Sequence, residues 1–129
     1  MPTRARVDAF VATVVSNDHV KAIEDFYWED ASMQENSQPP RCGRDASIAQ
    51  EQAFLERVRV FTHPPRAVLV DGDHVAIFWV FDITDSSNVT RRREELALQT
   101  WRDERIQSER FFYDPAETMP IPSASGQIL

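Results

Sequence analysis

The sequence predicts an α+β domain, with three amino-terminal helices packed on a strongly curved, mainly antiparallel sheet. Three observations carry that class. Apolar residues recur with a helical period up to about residue 58 and with a period of two beyond it, and 129 residues make one domain's worth of chain.

The first helix is marked by Val7, Phe10, Val11, Val14 and Val15, at i, i+3, i+4, i+7 and i+8. Ser16, Asn17 and Asp18 supply a corner and an N-cap, after which Val20, Ile23, Phe26 and Tyr27 repeat the stripe. Residues 31–36 alternate weakly and read as a short strand, which the run Gln-Pro-Pro-Arg-Cys-Gly ends. Asp45 is placed to cap a third helix with Ile48, Gln52, Leu55 and Val58 on its stripe. It runs to about Arg59, before Thr-His-Pro-Pro stops it.

Residues 66–70, the turn Asp-Gly-Asp and residues 74–84 read as a hairpin. Its second arm is apolar on both faces, with Val75, Ile77, Trp79, Phe81 and Ile83 on one and Ala76, Phe78 and Val80 on the other. Such a strand is expected to be covered on both sides. Residues 85–88 turn the chain into a long strand ending at Trp101, and Arg-Asp-Glu-Arg leads into a last strand over 106–114. The domain is expected to comprise residues 1–115, followed by a loose Pro/Ser-rich tail, 116–129.

A net charge of −7 disfavours nucleic acid and anionic membranes as partners. Arg91, Arg92 and Arg93 argue locally the other way, but on a strand they alternate between faces and form no single patch. Cys42 is the one cysteine, which excludes an internal disulfide and fits a reducing compartment. His19, His63 and His74 lack metal-ligand spacing, and the three glycines form no phosphate loop. With no cleavable leader and no apolar run of about 18 residues, the expectation is a cytoplasmic protein without membrane partner or cofactor.

The element order, with the segments AIEDFYWEDASMQEN, PPRCGRD and TWRDERIQSERFFYDP, resembles the SnoaL-like branch of the nuclear-transport-factor-2-like superfamily over about residues 5–115. Ketosteroid isomerases, polyketide cyclases and limonene epoxide hydrolases belong to it. The resemblance implies an open cone, a bent sheet wrapped around helices with a pocket between them, commonly as a homodimer. It also places Glu35 where ketosteroid isomerases carry their proton-shuttling aspartate. Other isomerase parts do not carry over. Val11 or a neighbour stands where the oxyanion-binding tyrosine is expected, Ala97 stands near the protonated aspartate, and the arginine-flanked aspartates of the epoxide hydrolases have no clear counterpart.

Alternation groups Glu95, Ala97, Gln99 and Trp101 on one strand face and Gln107, Glu109, Phe111 and Tyr113 on the next. Periodicity leaves open which faces look inward; the resemblance points these rows into the cone. Glu35 and Glu109 are then the candidate catalytic groups, and Trp79, Glu95, Gln99, Phe111 and Tyr113 the candidate ligand-binding residues. Crowded carboxylates in a cavity of a few hundred Å³ lose solvation, which raises a pKa toward neutrality and makes a usable acid or base. The implied ligand is a small, partly apolar molecule. The same residues also admit structural uses: Glu95 and Glu109 as cross-strand ion pairs on the outer face, Glu35 as a partner of Arg41 or Arg44. A row of Ala76, Phe78, Val80, Leu96, Leu98 and Phe112 on the opposite face points to homodimerisation there.

Overall fold

The computed structural model describes residues 1–116. The expected tail therefore lies outside the described residues after Ala116. Helices α1 (Arg4–Val15) and α2 (His19–Phe26) lead into strand β1 (Tyr27–Glu35), the two-residue β2 (Arg41–Cys42) and helix α3 (Arg44–Arg57). Strands β3 (Arg59–Thr62), β4 (Ala67–Asp71), β5 (His74–Thr84), β6 (Thr90–Arg102) and β7 (Arg105–Phe112) follow. The sheet order is β2-β1-β7-β6-β5-β3, with β4 on the same edge of β5 as β3. Strand β1 joins β7 in parallel, and the other pairings are antiparallel.

Local chemistry sets the helix ends. The Thr3 side chain accepts from the Arg6 amide at the start of α1, and Asp18 accepts from the Lys21 amide at the start of α2. Gly43, not Asp45, occupies the cap of α3, with φ at +99°, a conformation L side chains rarely adopt. Asp45 sits in the first turn, where its charge complements the helix dipole. Helix α3 ends at Arg57, two residues short of the expected boundary, because Arg59 to Thr62 pair with β5 instead.

The core gathers between the helices and the inner sheet face. Phe10 meets the rings of Phe26, Tyr27 and Trp101 edge-on at 5.4, 6.1 and 6.2 Å, so one α1 residue ties two helix-end aromatics to β6. Truncating such a ring costs about 3–5 kcal/mol. Helix α3 departs from its expected stripe. Ser47 is its buried residue, and Ser47, Gln50, Glu51 and Phe54, at i, i+3, i+4 and i+7, face an internal cavity. A helix face that meets a hollow instead of a packed core has no need of a continuous apolar stripe.

Strand β6 keeps strict alternation, with Ala97, Gln99 and Trp101 buried and Leu96 and Leu98 exposed. Strand β7 does not. Trp101 pairs with Ile106 but Thr100 pairs with Ser108, so Gln107 is an extra residue in the register. Ile106 and Glu109 are both buried as a result, although strict alternation would set them on opposite faces. On β5 itself the outward row is partly covered, with Val80 3% exposed and Ala76 and Phe78 half-buried. Beside it, Leu69 of β4 and Leu96 and Leu98 of β6 are 66%, 43% and 45% exposed. No described helix is long and apolar enough to cross a membrane.

Candidate functional site

A cavity of about 170 Å³ lies between the three helices and the inner sheet face. It is smaller than the ~300–1,000 Å³ of drug-sized sites, so its scale suits a small molecule. Glu109 of β7 reaches it while remaining only 4% exposed. The Tyr27 hydroxyl, at the first residue of β1, donates to Glu109 Oε1. Gln99 Nε2 donates to Oε2 at 2.6 Å, and Trp101 Nε1 donates to Gln99 Oε1 at 2.9 Å. Trp101, Gln99, Glu109 and Tyr27 thus form a continuous buried chain of hydrogen bonds, in which the orientation of the glutamine amide follows from its partners.

Burial pushes the Glu109 carboxyl up to about 7, against hydrogen bonds from Gln99 and Tyr27 that pull it down. Burial, then the Glu109 charge, holds the Tyr27 phenol well above its usual value, so it remains a donor. Glu95 of β6 also lines the cavity, and burial pushes its carboxyl up to about 8. The positive charge of Arg93 opposes that shift, while Glu109 and Glu35 add to it. Two carboxyls with values near neutrality line one hollow, and the charge of Glu109 acts on Glu95.

Glu35 ends β1 and lines the same cavity, but its oxygens are engaged. Arg41 Nη1 donates to Oε2 at 2.5 Å and the Tyr113 hydroxyl to Oε1 at 3.1 Å. The Arg93 guanidinium lies 4.4 Å from the centre of the Tyr113 ring. Trp79 and Phe81 stack with centroids 5.8 Å apart and form an apolar wall. Across the hollow, His19 of α2 stands edge-on to Phe81, with Nε2 2.8 Å from Thr62 Oγ1 and Nδ1 3.4 Å from Glu51 Oε1. Among the described residues no group of three or more His, Cys, Asp or Glu could hold a metal ion.

A family model for the SnoaL-like domain matches residues 7–109. The chain belongs to the SnoaL-like family. Among solved structures, a candidate SnoaL-like polyketide cyclase from Mesorhizobium loti is 23% identical, with a TM-score of 0.77 over 88% of this chain and 100% of that one. A protein of ketosteroid isomerase-like fold from Catenulispora acidiphila, solved with trimethylamine, gives 18% identity and a TM-score of 0.76 over 91% of each chain. An LEH-like epoxide hydrolase from M. tuberculosis gives 14% identity and a TM-score of 0.72 over 88% of this chain and 83% of that one. These likenesses establish the nuclear-transport-factor-2-like fold. No curated protein matches the chain by sequence.

Within this SnoaL-like cone, Glu35, Trp79, Glu95, Glu109 and Phe111 all line the cavity. Gln99 does not. It is fully buried behind Glu109, with its amide spent on Glu109 and Trp101. Tyr113 is not among the lining residues either and acts on Glu35 from behind. Arg41, read from the sequence as a possible partner of Glu35, lines the cavity and makes that pair, whereas sequence reading gave no role there to Tyr27, Ser47 and Glu51; His19 and Arg93 stand on the wall as well. Tyr27 was hidden by its use as the last member of the α2 stripe. A signal for α3 existed in the polar i, i+3, i+4 set of Ser47, Gln50 and Glu51. Arg93 and Glu95 share the inner face of β6, where the arginine charge acts on the Glu95 carboxyl.

Proposed function

We propose that this SnoaL-like protein binds a small, partly apolar molecule in its cavity and transforms it by cofactor-independent proton transfer, as an isomerase, cyclase or hydrolase. The observation that carries the reading is the pair Glu109 and Glu95, two carboxyls raised to about 7 and about 8 on one cavity wall. At neutral pH the pair supplies a base and an acid together. Glu109, ionised, takes a proton from carbon or from an attacking water. Glu95, protonated, gives one to the carbon or the leaving oxygen at the far end of the displaced electron pair. Gln99 and Tyr27 orient the base, Trp79 and Phe111 pack on the ligand body, and Glu35 with Arg41 and Tyr113 holds the rim. A cytoplasmic setting belongs to the same reading.

Two probe reactions sized for the cavity test it: conversion of 3-cyclohexenone to 2-cyclohexenone, and hydration of cyclohexene oxide. Turnover of either is expected to fall at least about a hundredfold in Glu109→Gln. Turnover that survives intact in both Glu109→Gln and Glu95→Gln overturns the carboxylate mechanism.

The exposed Leu69, Leu96, Leu98 and Phe112 favour a second reading, a non-catalytic ligand-binding or dimerisation module that associates through the outer sheet face. The two readings coexist in a homodimer with one cavity per subunit. Absence of both turnover and binding in the cavity leaves the second alone.

A further inference from the structure

Where β2 turns into α3, the cavity lining carries hydrogen-bonding groups that the protein itself does not use. Ser47 is 3% exposed, lines the cavity, and its Oγ has no partner among the described residues. Arg41 lines the cavity too, and its Nε is likewise buried and unpartnered. The two residues flank the corner where β2 turns into α3. Folded proteins leave few buried polar groups unpaired, because each has given up its water without gaining a partner, so two on one hollow call for an explanation. A bound molecule supplies it.

The chemistry of the wall narrows the molecule. Nε of arginine is a donor only, and a serine hydroxyl donates or accepts, so the group both can serve is an oxygen acceptor. The Arg41 charge is already met by Glu35 through Nη1 at 2.5 Å. Beside the protonated Glu95, the lining carries the carboxyls of Glu35, Glu51 and Glu109 against the guanidiniums of Arg41 and Arg93. An anionic ligand would meet an acidic hollow. The α3 amino terminus, closed by Gly43 with no side-chain cap, adds its positive dipole end beside Ser47.

We infer that the β2–α3 corner is an anchoring subsite for an uncharged oxygen acceptor, a ketone, ester or ether oxygen, held by Ser47 Oγ and Arg41 Nε. The inference rests on the cavity being a ligand site and names the ligand class it takes: a compact alicyclic or aromatic carbonyl or ether compound. Its apolar body lies along Trp79 and Phe54, and its far end meets Glu95 and Glu109. Ser47 and Arg41 position the ligand; they move no proton.

The experiment is an NMR titration of the full-length protein with cyclohexanone, with its near-isostere methylenecyclohexane, and with cyclohexanecarboxylate. Wild type is expected to bind the ketone about tenfold tighter than the alkene, the worth of one or two hydrogen bonds. Ser47→Ala is expected to erase most of that preference without weakening the alkene, and Arg41→Lys, which keeps the charge but lacks Nε, to reduce it. Glu94→Gln, in an exposed pair with Arg66 and outside the cavity lining, is expected to retain it. Melting curves without ligand add a readout that a structural serine would move the other way: Ser47→Ala should raise the midpoint by about 2–5 °C, since it deletes an unpaired buried hydroxyl. Equal binding of ketone and alkene, tighter binding of the carboxylate, a preference untouched by Ser47→Ala, or a lowered melting point in that variant each overturns the subsite. Failure of all three probes to bind wild type overturns the ligand cavity itself, and the subsite with it.

Discussion

Tyr27 and Glu109 stand 82 positions apart in the chain, yet the phenol of one donates to the carboxyl of the other in the interior of the cone. Both side chains are buried, and the parallel pairing of β1 with β7 brings them together. The contact joins the end of the helical layer to the last strand, and it bears directly on the ionisation of the candidate base.

Removing that donor has a definite sign. The Tyr27 hydrogen bond pulls the Glu109 carboxyl down, so Tyr27→Phe is expected to move its midpoint above about 7, by on the order of one unit. Side-chain carbon shifts of labelled glutamate, followed through a pH titration, read the change directly. A midpoint that stays put would mean the phenol has no hold on the carboxyl.

Stability should fall as pH rises from about 5 to 8. Glu109 and Glu95 ionise near 4.5 in the unfolded chain but at about 7 and about 8 in the fold, so between those values the unfolded chain has lost protons that the fold still holds. Their contribution is complete below 4.5 and is lost as pH climbs through the folded values, at roughly 1.4 kcal/mol per pH unit for each group. Urea denaturation at half-unit steps measures the slope. Glu109→Gln is expected to flatten it.

Asp82 runs the opposite way. Burial raises its carboxyl, but hydrogen bonds from Arg92 at 2.8 and 3.1 Å and contact with His63 at 2.7 Å outweigh burial and leave it below the usual range. Its stabilisation is present above about 4 and is lost as pH drops through the lowered folded value. Asp82→Asn is expected to cost about 1–2 kcal/mol at pH 7, with the deficit shrinking in acid.

On the outer face, Leu98→Glu sets a charge among Leu69, Ala76 and Leu96. Sedimentation at micromolar concentration is expected to show a dimer for the natural chain and a monomer for the variant, with ketone binding in the cavity unchanged. A natural chain that sediments as a monomer removes the role assigned to those leucines.

Much of the fold was legible because it rests on local rules. The stripes of α1 and α2 and the alternation of β5 and β6 follow from side-chain direction alone, and each reappears within a residue or two of its expected place. Strand β3 was missed because four residues after a helix leave too little pattern to read. The face of α3 was misread because its inward residues serve a cavity, and hollows tolerate serine and glutamate where a core does not. Arg92 pairs with Asp82 and Arg93 lies over Tyr113, the division between faces that strand alternation predicts, although the partners themselves could not be read from the triplet.

By itself the sequence determined the class of fold through composition and periodicity, which are properties of short stretches; its motifs pointed to the family by resemblance, and with it to Glu35, Glu95 and Glu109, though not Glu51, as acids that could meet inside. Only the tertiary structure decided which of those acids share a wall and which are spoken for. One bulged residue, Gln107, carries Glu109 inward beside Tyr27, while an ion pair with Arg41 occupies Glu35. Strand register and the dehydration of a carboxyl depend on neighbours from distant parts of the chain, and those neighbours exist only once the sheet has closed around the helices.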